Sequence, residues 1–379
     1  MTIRPRSVRR GIGFTGLALA GALTLAACGS DDNSSGNDSK APKSTAAGAE
    51  APKGDCATGK IAGAGSSAQK NALDEWTKAY QAKCSGSSID YASSGSGAGR
   101  QSFFDKQVTF AGSDSALKPE EAAKAAAACA PGQAINLPMV TGPIAVSYNV
   151  SGVKDLVLDA KTIAGIFSDK IKKWDAPEIK ALNPNAQLPS TAIQTVHRSE
   201  ASGTTENFTK YLKAAAGADW TFDAAQDWKA TGGQGAKGNE GVASIVKQTQ
   251  GGIGYMEQSF AENSGLSIAQ INTGASAPVK LTAEAAGKAV EAAKIAGTGN
   301  DLKLSIDYAT KAEGAYPIIL VTYEIVCEKG TPADKLPLLK SFLNYTSSAE
   351  GQKVLSGIGY APLPTTIADK VRTAVAGLS

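Results

Sequence analysis

One histidine, His197, occurs in 379 residues, and no two of the five cysteines stand close together. Those scarcities exclude the usual zinc sites, which need several Cys or His ligands at short spacing. The loops that grip phosphates and cofactors in common enzymes are also missing. GAGSSAQK lacks the glycine before its lysine and the Ser/Thr after it that a Walker A loop requires. GSGAG lacks the G-x-G-x-x-G spacing and the acidic residue that would read a ribose, so no dinucleotide is expected. Ser67-x-x-Lys70 has the S-x-x-K form of penicillin-binding enzymes, but neither Ser-Asp-Asn nor Lys-Thr-Gly occurs. No nucleophile–base pair stands out, and no metal or cofactor is expected.

An excess of charge is missing as well. Arg4, Arg6, Arg9 and Arg10 precede an apolar run, Gly11–Ala27, that ends in Leu-Ala-Ala-Cys at Cys28. This is the pattern of a signal peptide over residues 1–28. Its ending resembles a bacterial lipobox, which implies lipid on Cys28 and anchoring to the outer face of the cell membrane. The run is too short for a comfortable membrane span. Without these four arginines the balance is 34 basic against 35 acidic residues, so no nucleic-acid partner is expected. Residues 29–55 contain no aromatic and no Val, Ile or Leu, and read as a flexible tether. As a random coil it would reach about 30 Å. In an exported chain the four remaining cysteines imply two disulfides. Cys56 stands just before the first strand and Cys84 just after the first helix, which favours Cys56–Cys84 and leaves Cys129–Cys327.

The remaining 324 residues exceed what one core usually serves, so two domains are expected. Leu73, Trp76 and Tyr80 recur at helical spacing after the strand-like KIAGAG. SIDYASSGSGAGRQSFFDK repeats the strand, turn and helix. INLPMVTGPIAVSYNV and YPIILVTYEIVC read as long strands, and Leu336, Leu339 and Phe342 line one helix face. Strands alternating with helices define an α/β chain.

Four turns rich in Gly, Ser and Asp fall where strands end: Gly63–Ala68, Gly95–Gly99, Gly112–Ser115 and Ser202–Thr204. Ligands of open α/β sheets bind beyond the carboxyl ends of strands, where glycine lets backbone amides approach. The fourth turn, in VHRSEASGTTENF, places Arg198 ahead of a helix start, which is a natural seat for an anion. Its simpler reading is a helix cap by Ser202 or Thr204. An arginine on one turn and an aspartate on another favour anion binding. His197 could serve as a general base, but a packed neutral side chain is the commoner role at a strand end.

GAGSSAQ, GSGAGR, GSDSAL, IFSDKIKKWDAPEIKALNP, RSEASGTTENFTKYL and GGIGYMEQSFA stand in the order seen in substrate-binding proteins of the phosphate-specific ABC transporter. The chain resembles that family over roughly residues 57–379. The resemblance implies a two-lobed, type II periplasmic-binding-protein-like fold with its ligand in the interlobe cleft. Lobe I would comprise 56–139 and 316–379, and lobe II 140–315, with chain crossings near Val140 and Asp307–Tyr316. The family's anion contacts fall on Ser67, the Ala68 amide, Ser96, Asp114, Arg198, Ser202, Gly203 and Thr204. Where the family commonly pairs an aspartate with the arginine, this chain has Glu200. The implied protein is a monomeric binder of inorganic phosphate, not an enzyme, that serves a membrane permease and its ATPase. A secreted phosphatase and a sulfate or molybdate binder are the alternatives.

Overall fold

The computed structural model describes residues 56–379. The expected leader, the lipid site at Cys28 and the tether lie outside the described residues.

The strands are β1 (Gly59–Gly65), β2 (Ser87–Ala92), β3 (Phe110–Ser113), β4 (Ala134–Asn149) and β5 (Val157–Asp159). They continue as β6 (Gln194–Arg198), β7 (Gln234–Ala236), β8 (Gly252–Glu257) and β9 (Ser267–Ile268). Four more are β10 (Gln270–Asn272), β11 (Lys294–Ile295), β12 (Leu304–Ser305) and β13 (Ile319–Cys327). The large sheet runs β2-β1-β3-β13-β4-β8-β6-β7, with β9 paired to β4. β5 pairs with β10 and β11 with β12. β1 is parallel to both β2 and β3, and β6 is parallel to both β7 and β8, as strand–helix–strand crossovers dictate.

β4 and β13 join the two parallel groups. β4 pairs antiparallel with β13 from Ala134 to Pro143, then with β8 from Ile144 to Asn149. The first pairing is interrupted at Met139, since Thr322 faces Val140 and Tyr323 faces Pro138. The extra residue is a bulge, and the Met139 carbonyl accepts a hydrogen bond from Gln352 Nε2 at 3.1 Å. Every residue of β13 is buried, which accounts for its near-continuous apolar run.

Trp76 and Tyr80 of the helix Lys70–Lys83 pack on Leu339 and Phe342 of the helix Leu336–Thr346, as their spacing predicts. Leu336, at that second helix's first turn, is only half-buried. Around β8 and the helix Gly203–Tyr211 the core is aromatic, with Tyr255 stacked on Phe208 at 4.3 Å and Phe167 edge-on to Phe208 at 5.1 Å. Both expected disulfides are present, Cys56–Cys84 and Cys129–Cys327. They restrict the unfolded chain, each contributing about 2–4 kcal/mol.

Candidate functional site

Three strand ends of the first parallel group and one of the second meet. β1 ends at Gly65, whose φ of +140° and closeness to β3 both require glycine: a Cβ would lie 2.0 Å from the Gly112 carbonyl oxygen. The Ser66 amide donates to that oxygen at 2.8 Å, so the turn before the helix Lys70–Lys83 is pinned against the end of β3. Asp114 follows β3 directly. Ser96 opens the helix Ser96–Phe104 and Gly203 opens the helix Gly203–Tyr211. A fourth helix, Gly238–Gln248, starts alongside them. In three of the four the residue before the helix gives no side-chain cap; Ser202 caps the fourth by accepting from the Thr205 amide at 3.2 Å. Ser202 therefore fills the simpler role read in the sequence, while its hydroxyl hydrogen stays available to donate.

Asp114 is the meeting point. Its Oδ1 accepts from Ser66 Oγ and, at 2.8 Å, from Thr322 Oγ1. Its Oδ2 faces Ser96 Oγ and Thr204 Oγ1, both at the longer distance of 3.4 Å. The carboxylate is buried, and burial raises its pKa; the hydroxyls of Ser66 and Thr322, the charge of Arg198 and the Thr204 hydroxyl oppose that rise. Its backbone is fixed as well, since Asn207 Nδ2 donates to the Asp114 carbonyl at 2.7 Å and Tyr308 OH donates to Asn207 Oδ1.

Arg198 is buried at the end of β6. Its Nη1 donates to Thr204 Oγ1 at 3.2 Å. Glu200 Oε1 receives Arg198 Nε at 3.0 Å, Arg198 Nη2 and the Gly238 amide at 3.0 Å. The glutamate thus pairs with the arginine, and the same oxygen holds the start of the helix Gly238–Gln248. Burial pushes the Glu200 pKa up, but hydrogen bonds and charge from Arg198 more than reverse this and hold it below the usual carboxylate range. The Arg198 amide donates to Tyr255 OH at 3.2 Å, and burial pushes that phenol up to about 12.

The structure therefore brings Ser96, Asp114, Arg198, Gly203 and Thr204 into one buried contact network. Ser67 and Ala68 stand on the adjoining turn with other partners. The Ala68 amide donates to Ser66 Oγ at 3.0 Å, and Ser67 Oγ accepts from Asn239 N and Nδ2 at 3.2 and 2.9 Å. Ser66, Asn207, Asn239 and Thr322 were not anticipated. Thr322 had a visible signal, a hydroxyl inside a strand that is apolar but for Tyr323 and Glu324; Asn239 had a weaker one, Gly-Asn at a helix start. His197 stacks on Trp228 at 5.0 Å and places Nδ1 2.9 Å from the Arg198 carbonyl oxygen, the packed role rather than that of a base.

Both groups of strand ends touch. The Gly97 amide donates to the Ala201 carbonyl at 3.1 Å, and Arg100 Nη2 donates to Gln226 Oε1 at 2.8 Å. Gly203 sits so close to Asp114 that a Cβ would be 2.5 Å from the Asp114 Cβ and 2.7 Å from Ser96 Oγ. Chemically this is a buried cluster of hydroxyls, helix-start amides and one guanidinium around Asp114, with Glu200 paired to the guanidinium.

The α/β sheet with its polar cluster at strand ends is of the periplasmic-binding class, as the family match shows. Residues 50–350 match the PBP superfamily domain. Two solved structures share the fold. One is the high-affinity periplasmic phosphate-binding protein PfluDING, with TM-score 0.69 and 23% identity, covering 83% of this chain and 93% of that one. The other is the phosphate-binding protein of Stenotrophomonas maltophilia, with TM-score 0.65 and 19% identity, covering 83% and 94%. Phosphate-binding protein PstS 3 of Mycobacterium tuberculosis is 42% identical over 95% of this chain and 96% of its own length. Phosphate-binding protein PstS of Xylella fastidiosa is 33% identical over 95% and 96%. The chain belongs to the PstS family of phosphate-binding proteins.

Proposed function

We propose that this chain binds inorganic phosphate outside the cytoplasm and delivers it, unchanged, to an ABC importer. The observation that carries this reading is Asp114: a buried carboxylate set among hydroxyls and an arginine, where an anion-binding site would otherwise hold only donors. A carboxylate accepts hydrogen bonds and cannot give them. Phosphate at neutral pH still has a hydrogen to donate, whereas sulfate and molybdate do not.

In this reading Ser67, Ser96, Ser202 and Thr204 offer hydroxyls, Ala68 and Gly203 offer amides, and Arg198 offers its fork, with Glu200 orienting the arginine. Hydrogen bonds to a charged group contribute about 1.5–3 kcal/mol each, enough in number to offset the cost of stripping water from the ion. Residues 56–139 and 316–379 form lobe I and 140–315 lobe II, which close on the ion. Lipid on Cys28 and the tether 29–55 hold the monomer at the membrane, within reach of the permease and ATPase subunits. Among the described residues no helix is long and apolar enough to cross a membrane. The curated relatives are named as binding proteins, and the chain is read as a binder, not an enzyme.

Calorimetry on residues 56–379 with phosphate, arsenate, sulfate and molybdate tests this. Phosphate is expected to bind tightly and arsenate, a protonated tetrahedral mimic, to compete. Equal or tighter sulfate binding would overturn the assignment. Gly203→Ala is expected to weaken phosphate markedly, because a Cβ there would overlap Asp114 Cβ and Ser96 Oγ and push the two turns apart. An unchanged Kd in that variant would mean the approach of Gly203 to Asp114 plays no part in binding.

A further inference from the structure

Behind Asp114 lies a second buried carboxyl that the phosphate site does not itself use. Glu324 follows Thr322 by two residues on β13, so the two side chains share one face of the strand. Thr322 donates to Asp114 Oδ1 at 2.8 Å. Glu324 is 2% exposed, and its Oε2 has no hydrogen-bond partner. Gln69, on the turn that carries Ser66 and Ser67, lies close enough to the Glu324 carboxyl to act on its protonation, and its own Oε1 is also buried without a partner. Gln69 Nε2 donates to Tyr91 OH at 3.0 Å, and Tyr91 OH donates to the Ser66 carbonyl at 2.9 Å. Ser66 Oγ in turn bonds Asp114. Between Glu324 and Asp114 stand Thr322, on the same strand face, and the bonded series Gln69, Tyr91 and Ser66.

Two buried oxygens without donors, on adjacent side chains, are unfavourable unless one of them carries a hydrogen. A carboxylic acid at Glu324 supplies it. We propose that Glu324 is a positioning residue of the phosphate site, held as the neutral acid so that no second negative charge stands behind Asp114 while the anion is bound.

Burial pushes the Glu324 carboxyl up to about 8; the nearby Gln69 amide lowers it, and the Asp114 charge raises it. The titratable groups acting on it are Asp114, beyond β3, and Tyr91 of β2, whose phenol is itself pushed up by burial and then by Glu324. The strand neighbours across from Glu324 are Gly112 of β3 and Leu137 of β4, which do not titrate. The sign follows. Below about pH 8 Glu324 keeps its proton, and Asp114 is the one ionised carboxylate of the site that is not paired with a cation, Glu200 being bonded to Arg198. Above it the proton passes to water, and two like charges then oppose a third on the ligand. Binding and protonation are linked, so ionisation of Glu324 must weaken phosphate by the factor by which phosphate raises its proton affinity. A single linked proton gives a Kd that rises by up to about tenfold per pH unit.

This inference rests on the phosphate reading, and the test separates the two. Phosphate Kd is measured by calorimetry from pH 6.5 to 9.5 for the wild type, Glu324→Gln and Glu324→Ala, the second variant guarding against misfolding of the first. The ligand's own ionisation is common to all three and cancels in their ratios. The wild type is expected to match Glu324→Gln at low pH and to fall behind it progressively above pH 8. Infrared difference spectra without phosphate should show a protonated-carboxyl C=O band in the wild type that titrates near pH 8 and is absent from both variants. Parallel Kd profiles, or no such band, would overturn the role of Glu324 alone. Wild-type protein that binds no phosphate at any pH would overturn the phosphate reading and this inference with it.

Discussion

Asp114→Asn is expected to lose most of the preference for phosphate over sulfate while keeping the fold. The orientation of the new amide is set by the surroundings. Oδ1 already accepts from Ser66 and Thr322, so the amide oxygen takes its place and the NH2 takes the place of Oδ2, beside Ser96 and Thr204. The corner that accepted a hydrogen then donates two. Phosphate loses its acceptor, and sulfate gains a donor. Rejection of a ligand that lacks a required hydrogen reaches roughly 10⁴–10⁵ in favourable sites, so a fall in the affinity ratio on the order of 10² or more is expected. Asp114 is charged at a cost raised by burial, so the asparagine variant should melt no lower than wild type in the absence of ligand. Competition binding against both anions reads the ratio; unchanged selectivity would remove Asp114 from the discrimination.

Arg198→Ala should weaken phosphate by about 10²–10³, the loss typical when one partner of a buried charged pair is removed. It should also lower stability, because Glu200 Oε1 would keep only the Gly238 amide of its three donors. Arg198→Lys separates charge from shape. A lysine keeps the positive charge but has no planar fork with which to serve Glu200 and Thr204 together. Partial recovery of affinity by lysine, without recovery of the melting temperature, is the expected pattern. Full recovery of both would show that the geometry of the fork does not matter. Calorimetry and thermal denaturation of the two variants give both readings.

The turns that hold Ser67, Ser96, Asp114 and Ser202–Thr204 were legible in the sequence because each announces itself with glycine and small polar residues at the end of a strand. The disulfides were legible because Cys56 and Cys84 bracket one strand and one helix. Glu200 was visible as a departure from the family, but its bond to Gly238 was not, since 38 residues separate the two and only the sheet order brings them together. Thr322 and Glu324 were hidden for another reason. Both sit in the middle of a strand, where nothing local marks function, and their partners Asp114 and Gln69 lie some 200 or more positions away. The one clue was chemical: YPIILVTYEIVC holds a carboxyl and a hydroxyl where every neighbour calls for hydrocarbon. Asn207 and Tyr308 gave no clue, being ordinary residues of a helix and a connection.

The extra residue in β4 at Met139 has a consequence for inherited variation. Side chains on a strand alternate, so a single-step shift of β4 before Met139 would turn Leu137, the residue across from Glu324, to the opposite side of the sheet and disturb the packing behind Asp114. A one-codon insertion or deletion between Ala134 and Met139 would reach no ion and alter no glycine turn. It would nevertheless be as harmful to recognition as losing a residue of the pocket, whereas the same lesion in the solvent-facing segment 273–278 should pass unnoticed.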